Sequence, residues 1–578
     1  MALAAAWELL LVLGAFGVLG RWQQRTSERW LGALACALAA GGLLGTWLTW
    51  ARWNHPAAYA LPAVLLCAPA WRTVREGWSW GQWRVWPLPL ALLFLALRPV
   101  GEVDSLYNLH FVLGWLENRT TPLDYAFNYA GFWEAGLLPA LALGRSDLVM
   151  WLRPAEALLA VGLGAWILGE ELGVERRLRA ASVAASLAFM HFWWGQSGVA
   201  TVKNDLMVSA GQVMAALVVL RLARGTAGRW EALLAGLAAV FVSTKSSGPF
   251  LVGAAAAAWL AWRRRVDWPW ACSLGALWMA SVGFVYAANL ARFGNPFYPF
   301  TLKIGPLLLP GRADQSATSI WANLGDQRLW RLFFWPEGGV SPAGLLFPLF
   351  LIVTPLVLWR VNRGLLVYMG ALAALYVFGI YSAGGAPGTL RFLEADLSTL
   401  RYMGGALAVG EIALVAALGR WGWLFAGVQG VSRLWLMARR ESAIAELEAL
   451  ALAACVCVAA WRLKRHPAAV VAGVIAVGCW QVERKRGAWL PEMSEVWRVV
   501  YDAPASKVSL VIEDEYSPQL CAHWWLMGRG LRHAVSVGTQ PGARYVVWPR
   551  WPEGAPAKWS APEYRIRAEA RGAVLWER

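Results

Sequence analysis

The sequence predicts an all-α polytopic membrane protein followed by a small α/β domain, and three observations carry that expectation. Of its 578 residues, 58% are hydrophobic and only 15% are charged, far from the balance of a soluble domain. Apolar runs long enough to cross a hydrocarbon layer about 30 Å thick recur along residues 1–485. Arginines gather in short loops between alternate runs: Arg21, Arg25 and Arg29; Arg72, Arg75 and Arg84; Arg176, Arg177 and Arg179; Arg263, Arg264 and Arg265. This is the positive-inside pattern of membrane helices. The formal charge of +16 is therefore spread over loops rather than along one basic stripe, which argues against a nucleic-acid partner.

Taken in order, the first run, residues 3–20, has neither a basic leader nor a small-residue cleavage site, and reads as a membrane helix rather than a signal peptide. Three further runs precede residue 101. Others lie near 151–169, 180–195, 205–223, 230–245, 247–262, 268–289, 342–359, 364–382, 402–419, 421–437, 443–461 and 467–482, for about sixteen spans with both termini on the outer side. Within 421–461, Arg433, Arg439 and Arg440 interrupt the apolar pattern, so one of these runs fits an interfacial helix equally well. Charges otherwise sit mainly at run ends, which speaks against a transporter. Many of the forty tryptophans, such as Trp47, Trp50, Trp259 and Trp262, also sit at run ends, where they anchor to membrane lipids. The seven cysteines are scattered and supply neither a disulfide framework nor a zinc site.

The bundle leaves outer loops at 98–150, 290–341 and 383–401 and a turn near 196–205. Loop 98–150 carries Trp133 and Glu134 among apolar residues, and is expected to hold helices lying along the membrane surface. After residue 485 the composition turns soluble. Strands are expected at 507–512 and 544–548, one or two more within 564–576, and a helix at 518–529. That makes 486–578 a small α/β domain on the outer face.

Ionisable residues beside hydrocarbon point to function, and the outer segments hold several. Glu102 and Asp104 follow the end of a span. Asp104 suits a general base for an acceptor hydroxyl, with Glu102 sharing that role or binding a metal; Asp104 equally fits the N-cap of a helix over 105–116. Tyr107 and His110 share one face of that segment. Lys203 and Asp205 stand at an outer turn, where a cation would hold a phosphate and the acid orient it. Lys245 is one of only seven lysines against forty-five arginines, and breaks the inside rule. It either meets an anion or snorkels to the interface. Asn295-Pro-Phe-Tyr298-Pro-Phe forms a rigid, non-helical entry to the next loop, suited to lining a groove. Arg391, Arg401 and Tyr402 complete the set, the arginines as candidate bidentate phosphate ligands.

In this order the pieces resemble the C-type glycosyltransferases, the multi-span enzymes that use polyprenyl-phosphate sugars and include protein O-mannosyltransferase and lipid A aminoarabinose transferase relatives. Asp104-Ser-Leu-Tyr107-Asn-Leu-His110, Lys203-Asn-Asp205-Leu, Thr244-Lys245, Asn295–Phe300 and Arg401-Tyr402 carry the resemblance over residues 98–420. Arg401-Tyr402 is followed here by Met403-Gly-Gly in place of the family's Leu-Leu-Pro. The resemblance implies a GT-C-like helical bundle in a bacterial cytoplasmic membrane, with its active site on the outer face. A polyprenyl-phosphate-linked sugar would be the donor, and a protein, lipid or glycan hydroxyl the acceptor. Asp104 would activate the acceptor for an inverting displacement, and a divalent metal ion is left open as a further component. The competing reading is a non-catalytic, Trp-rich membrane scaffold that binds lipid or a partner protein. Convergence of Asp104, Asp205, Lys245 and Arg401 on one outward cavity would separate the two.

Overall fold

The computed structural model describes residues 2–20, 25–75, 112, 114–116, 118, 131–144, 149–192, 204–253, 268–298, 300–304, 306–311, 313–314, 318–334, 341, 343–379, 382–384, 388–394, 397–438, 495–511, 533–537, 541–549, 559–570 and 573–578. The runs expected at 443–461 and 467–482 and the helix expected at 518–529 lie outside the described residues.

Eight helices open the bundle: α1 (Ala2–Leu19), α2 (Thr26–Trp50), α3 (Pro56–Arg75), the short α4 (Phe132–Ala135) and α5 (Leu138–Gly144), α6 (Val149–Glu171), α7 (Arg176–Phe192) and α8 (Asp205–Ala223). Next come α9 (Arg229–Val242), α10 (Trp268–Trp278), a π-helical turn (Met279–Gly283) that runs straight into α11 (Phe284–Phe293), α12 (Gln327–Phe334), α13 (Phe347–Val361) and α14 (Arg363–Phe378). After α15 (Arg391–Glu394) and a 3-10 turn (Ser398–Met403), α16 (Gly404–Leu418) and α17 (Gly422–Ala438) close the described bundle. Among the described residues, four stretches are long and apolar enough to cross a membrane: Thr26–Trp50, Asp205–Ala223, Trp268–Phe293, and Thr399–Arg433, which contains α16 and most of α17. At a rise of about 1.5 Å per residue, the 25 residues of α2 reach across a full hydrocarbon core. The protein is an integral membrane protein.

Close approach of these helices depends on small residues. A Cβ at Gly45 of α2 would run into the Ala135 carbonyl, and one at Gly42 into the Phe132 ring, so α4 seats directly on α2. Gly131, with φ of 67°, makes the left-handed turn that leads into α4. At the opposite end of α2, charge takes over from packing. Arg221, in the last turn of α8, binds Glu28 at 2.6 Å, Glu231 at 2.7 Å and Glu171 at 2.8 Å. Arg25 reaches Glu28 and Glu171 at 3.3 and 3.2 Å, and Arg224 reaches Glu171 at 3.2 Å. Three guanidiniums thus neutralise three carboxylates and tie together the ends of α2, α6, α8 and α9.

Charges also occur inside helix bodies, where the sequence pattern placed few. Arg433 of α17 pairs with Glu411 of α16, donates to the Ala185 carbonyl at 2.8 Å, and reaches the Ala343 carbonyl at 2.7 Å. Ser186 Oγ donates to the same Glu411 at 2.8 Å. So the arginine that interrupts the apolar pattern at 421–437 is buried between helices, and α17 packs on α7 and α16 as a bundle helix. A second set joins Arg153 to Glu8 at 3.8 Å and to the Leu38 carbonyl at 2.5 Å.

The C-terminal elements are α18 (Glu495–Asp502) and the strands β4 (Lys507–Leu510), β5 (Ala534–Val537), β6 (Tyr545–Pro549), β7 (Arg565–Ala570) and β8 (Ala573–Glu577); β1 (Phe300–Ile304), β2 (Leu307–Leu309) and β3 (Ala313–Asp314) form a small sheet after α11. The C-terminal sheet has the order β5-β4-β6-β8-β7. Its first three strands are parallel, β6/β8 and β8/β7 are antiparallel, and the register shifts between Ile566 and Ala568. The expected strands at 507–512, 544–548 and within 564–576 are β4, β6 and the pair β7–β8, whereas β5 and α18 are additional to that expectation.

Removing one partner of a buried ion cluster costs about 3–5 kcal/mol. Arg221→Met is therefore expected to lower the unfolding temperature of the detergent-purified protein markedly, whereas Arg224→Met, at a side chain 38% exposed, changes it little. Equal unfolding temperatures for Arg221→Met and wild type would remove the clasp from the account of stability.

Candidate functional site

At the end of the bundle away from the Arg221 clasp, α8 begins at Asp205, whose side chain is only 3% exposed. A carboxylate suits the positive end of a helix, but burial at this level demands cations as well. Both come from far along the chain. Lys245 lies in the tight turn after α9 and hydrogen-bonds Asp205 Oδ1 through its ammonium. Arg401, in the 3-10 turn before α16, places its Nε 3.5 Å from Asp205 Oδ2, an ion pair rather than a hydrogen bond.

Tyr402 completes the cluster. Its ring lies 3.8 Å beneath the Lys245 ammonium and 5.1 Å from the Arg401 guanidinium carbon, and its hydroxyl accepts from Arg401 at 3.3 Å. The Lys245 and Arg401 side chains are held by protein yet remain 21% and 13% exposed.

The scaffold fixes each of these groups. Gln212, two turns into α8, donates to the Tyr402 carbonyl at 2.8 Å and accepts from the Ala406 amide at 3.1 Å. Tyr368 of α14 donates to the Gln212 carbonyl at 2.7 Å. A Cβ at Gly405 would collide with the Ser209 carbonyl. Gly405 therefore lets α16 close on α8, which brings Arg401 to Asp205. Around Lys245, the Thr244 hydroxyl donates to the Phe241 carbonyl at 2.7 Å, and Asn204 donates to the Thr244 carbonyl at 3.1 Å. Gly248 is required because a Cβ there would strike the backbone of Val242 and Ser243.

A residue with no assigned role joins this group. Glu134 of α4 is 2% exposed, and beyond its own backbone amide neither carboxylate oxygen has a hydrogen-bond partner among the described residues. Burial pushes it up to about 7, while Lys245 pulls it down and Asp205 pushes it up. Glu134 is thus within electrostatic reach of the cluster. The available signal was an acid set among Phe132, Trp133, Ala135 and Leu137.

Asp205, Lys245, Arg401 and Tyr402 meet, but other candidates do not join them. Asn295 is fully buried, and its amide accepts from Phe297 N and donates to the carbonyls of Phe300 at 2.6 Å and Pro310 at 2.9 Å. It shapes the turn into β1 instead of lining a groove. Tyr298 stacks on Phe293 with ring centroids 4.0 Å apart. Arg391 is exposed on the four-residue helix α15. Glu102, Asp104, Tyr107, His110 and Lys203 lie outside the described residues. Among the described residues no three His, Cys, Asp or Glu side chains gather as metal ligands.

The Glu134 environment gives a signed pH dependence. Its folded value of about 7 lies above the ordinary 4.5, so the native state holds a proton that the unfolded chain releases. Stability is full below about 4.5 and falls as pH rises towards and through about 7. Glu134→Gln is expected to flatten the unfolding-temperature profile between pH 4.5 and 7.5 relative to wild type; parallel profiles would show that Glu134 ionises freely.

No family model matches the chain, and no curated protein matches it. Among solved structures, ArnT from Cupriavidus metallidurans bound to undecaprenyl phosphate matches with a TM-score of 0.44 and 12% identity, over 86% of this chain and 98% of that one. At that level of similarity the function has to be read from the site itself.

Proposed function

We propose that the protein is a glycosyltransferase of the C type that moves a sugar from a polyprenyl-phosphate donor to an acceptor hydroxyl at the outer face of the cytoplasmic membrane. The observation that supports this most is the gathering of Asp205, Lys245, Arg401 and Tyr402 from three distant stretches at one end of the bundle. Two cations share one carboxylate, and both stay partly exposed. A scaffold has no use for that arrangement, whereas it suits an anionic lipid headgroup.

In this reading Lys245 and Arg401 grip the donor phosphate, and Asp205 holds the two cations in place. The acceptor oxygen attacks the anomeric carbon as its proton passes to Asp104. The bond from that carbon to the phosphate oxygen breaks, and its electron pair leaves with the polyprenyl phosphate. Configuration at the carbon inverts. Negative charge grows on the departing phosphate, where fixed cations stabilise the transition state more than the bound donor. Glu134, protonated over part of the range near pH 7, offers the same phosphate a hydrogen-bond donor. The acceptor is a protein, lipid or glycan hydroxyl.

Binding of polyprenyl phosphate to the protein in nanodiscs tests this directly. Loss of one charge-assisted contact corresponds to a Kd weaker by about 10–100-fold, and that is the result expected for Lys245→Met and for Arg401→Met. Asp104→Asn should bind as wild type yet abolish transfer of radiolabelled sugar, because it removes charge with little change in volume. Wild-type affinity in Lys245→Met would leave that lysine a purely structural partner of Asp205, and undiminished turnover by Asp104→Asn would remove Asp104 as the base.

A further inference from the structure

We infer that Trp278 and Tyr286 are positioning residues for Lys245, brought onto one helix face by the π-helical turn between them; this rests on the phosphate-binding reading of Lys245. In an unbroken α-helix, residues eight apart point about 80° away from each other. The π turn Met279–Gly283 takes up one extra residue, which brings Trp278 and Tyr286 to within about 20° of the same face. Their rings accordingly stack, with an interplanar angle of 4° and centroids 6.2 Å apart. Gly283 makes room for this, since a Cβ there would meet the Trp278 ring.

Both side chains end on the turn that carries the lysine. Trp278 Nε1 donates to Ser243 Oγ at 2.9 Å. The Tyr286 hydroxyl donates to the Ser243 carbonyl at 2.8 Å and lies 3.1 Å from the Lys245 carbonyl. Asn204 occupies the Thr244 carbonyl from the side of α8 at 3.1 Å, and the Gly248 amide donates to the Lys245 carbonyl at 2.9 Å. Every carbonyl from Ser243 to Lys245 is therefore fixed, although the segment belongs to neither helix. The clamp holds backbone, so its effect on a ligand passes through the one side chain of the turn that reaches the site. A lysine has four rotatable bonds and many rotamers, and anchoring its backbone is what lets a single ammonium sit on both Asp205 and the Tyr402 ring.

The test uses the full-length protein in nanodiscs and a double-mutant cycle. Tyr286→Phe keeps the ring and removes the hydroxyl, and is expected to weaken polyprenyl phosphate binding about 5–10-fold. In a Lys245→Met background the same substitution should have no further effect, because its influence runs through Lys245. Additive losses would show a general packing role and overturn the inference, as would wild-type binding by Tyr286→Phe while Lys245→Met is impaired. A lipid-free arm separates this from failure of the phosphate reading. After reductive methylation with labelled formaldehyde, the Lys245 methyl resonance should be shifted by the Tyr402 ring current in wild type and return towards that of a free lysine in Tyr286→Phe. An unchanged Lys245 resonance in Tyr286→Phe overturns the clamp. A moved resonance together with wild-type lipid binding by Lys245→Met keeps the clamp and sinks the phosphate assignment.

Discussion

A carboxylate that is 3% exposed at the first residue of a membrane helix needs compensating charge, and much of this end of the bundle is arranged around supplying it to Asp205. Lys245 and Arg401 reach it from two turns that are each held by several contacts. One is clamped by Tyr286, Trp278 and Asn204, and the other by Gln212 and the glycine-permitted contact of α16 with α8. Four helices and two turns thus converge on one acid. The aromatic ring of Tyr402 adds a cation–π contact to Lys245 and lies close to the Arg401 guanidinium.

The other charge clusters show why this one is the candidate for ligand binding. At the far end, three guanidiniums face three carboxylates around Arg221, and every oxygen-nitrogen pair is made within the protein. Glu411 and Arg433 balance one for one, and the remaining donors of Arg433 end on the Ala185 and Ala343 carbonyls. Among the described residues, each guanidinium of those sets meets a carboxylate. In the Asp205 group, cations outnumber carboxylates among the described residues and remain partly exposed, while Glu134 nearby is held by burial close to neutrality. Two partly exposed cations set around one buried acid suit an anionic ligand.

Much of this was legible in the sequence. Apolar runs bounded by arginines gave the spans at 205–223 and 268–289 nearly to the residue, because length and hydropathy alone decide whether a helix can cross. Asp205, Lys245 and Arg401 stood out because each sits where the positive-inside pattern or the hydrocarbon makes a charge expensive. Three things were hidden. Whether Glu134 is buried depends on α4 seating on the glycines of α2, a contact between segments that no local pattern encodes. The role of Asn295 was misjudged for a related reason: an Asn-Pro turn looks the same whether its amide faces a groove or its own chain. The π turn at 279–283 leaves no compositional trace, since it is one residue of extra winding within an apolar run, and its effect appears only when Trp278 and Tyr286 are seen stacked.

The central claim is that the Asp205–Lys245–Arg401 group is a receptor for a lipid phosphate. A cryo-electron microscopy structure of the full chain in nanodiscs with polyprenyl phosphate tests it most directly. The account predicts phosphate density within about 3 Å of the Lys245 ammonium and the Arg401 guanidinium, with the lipid chain leaving between helices. Phosphate density elsewhere, with Lys245 and Arg401 still turned inward onto Asp205, would contradict it.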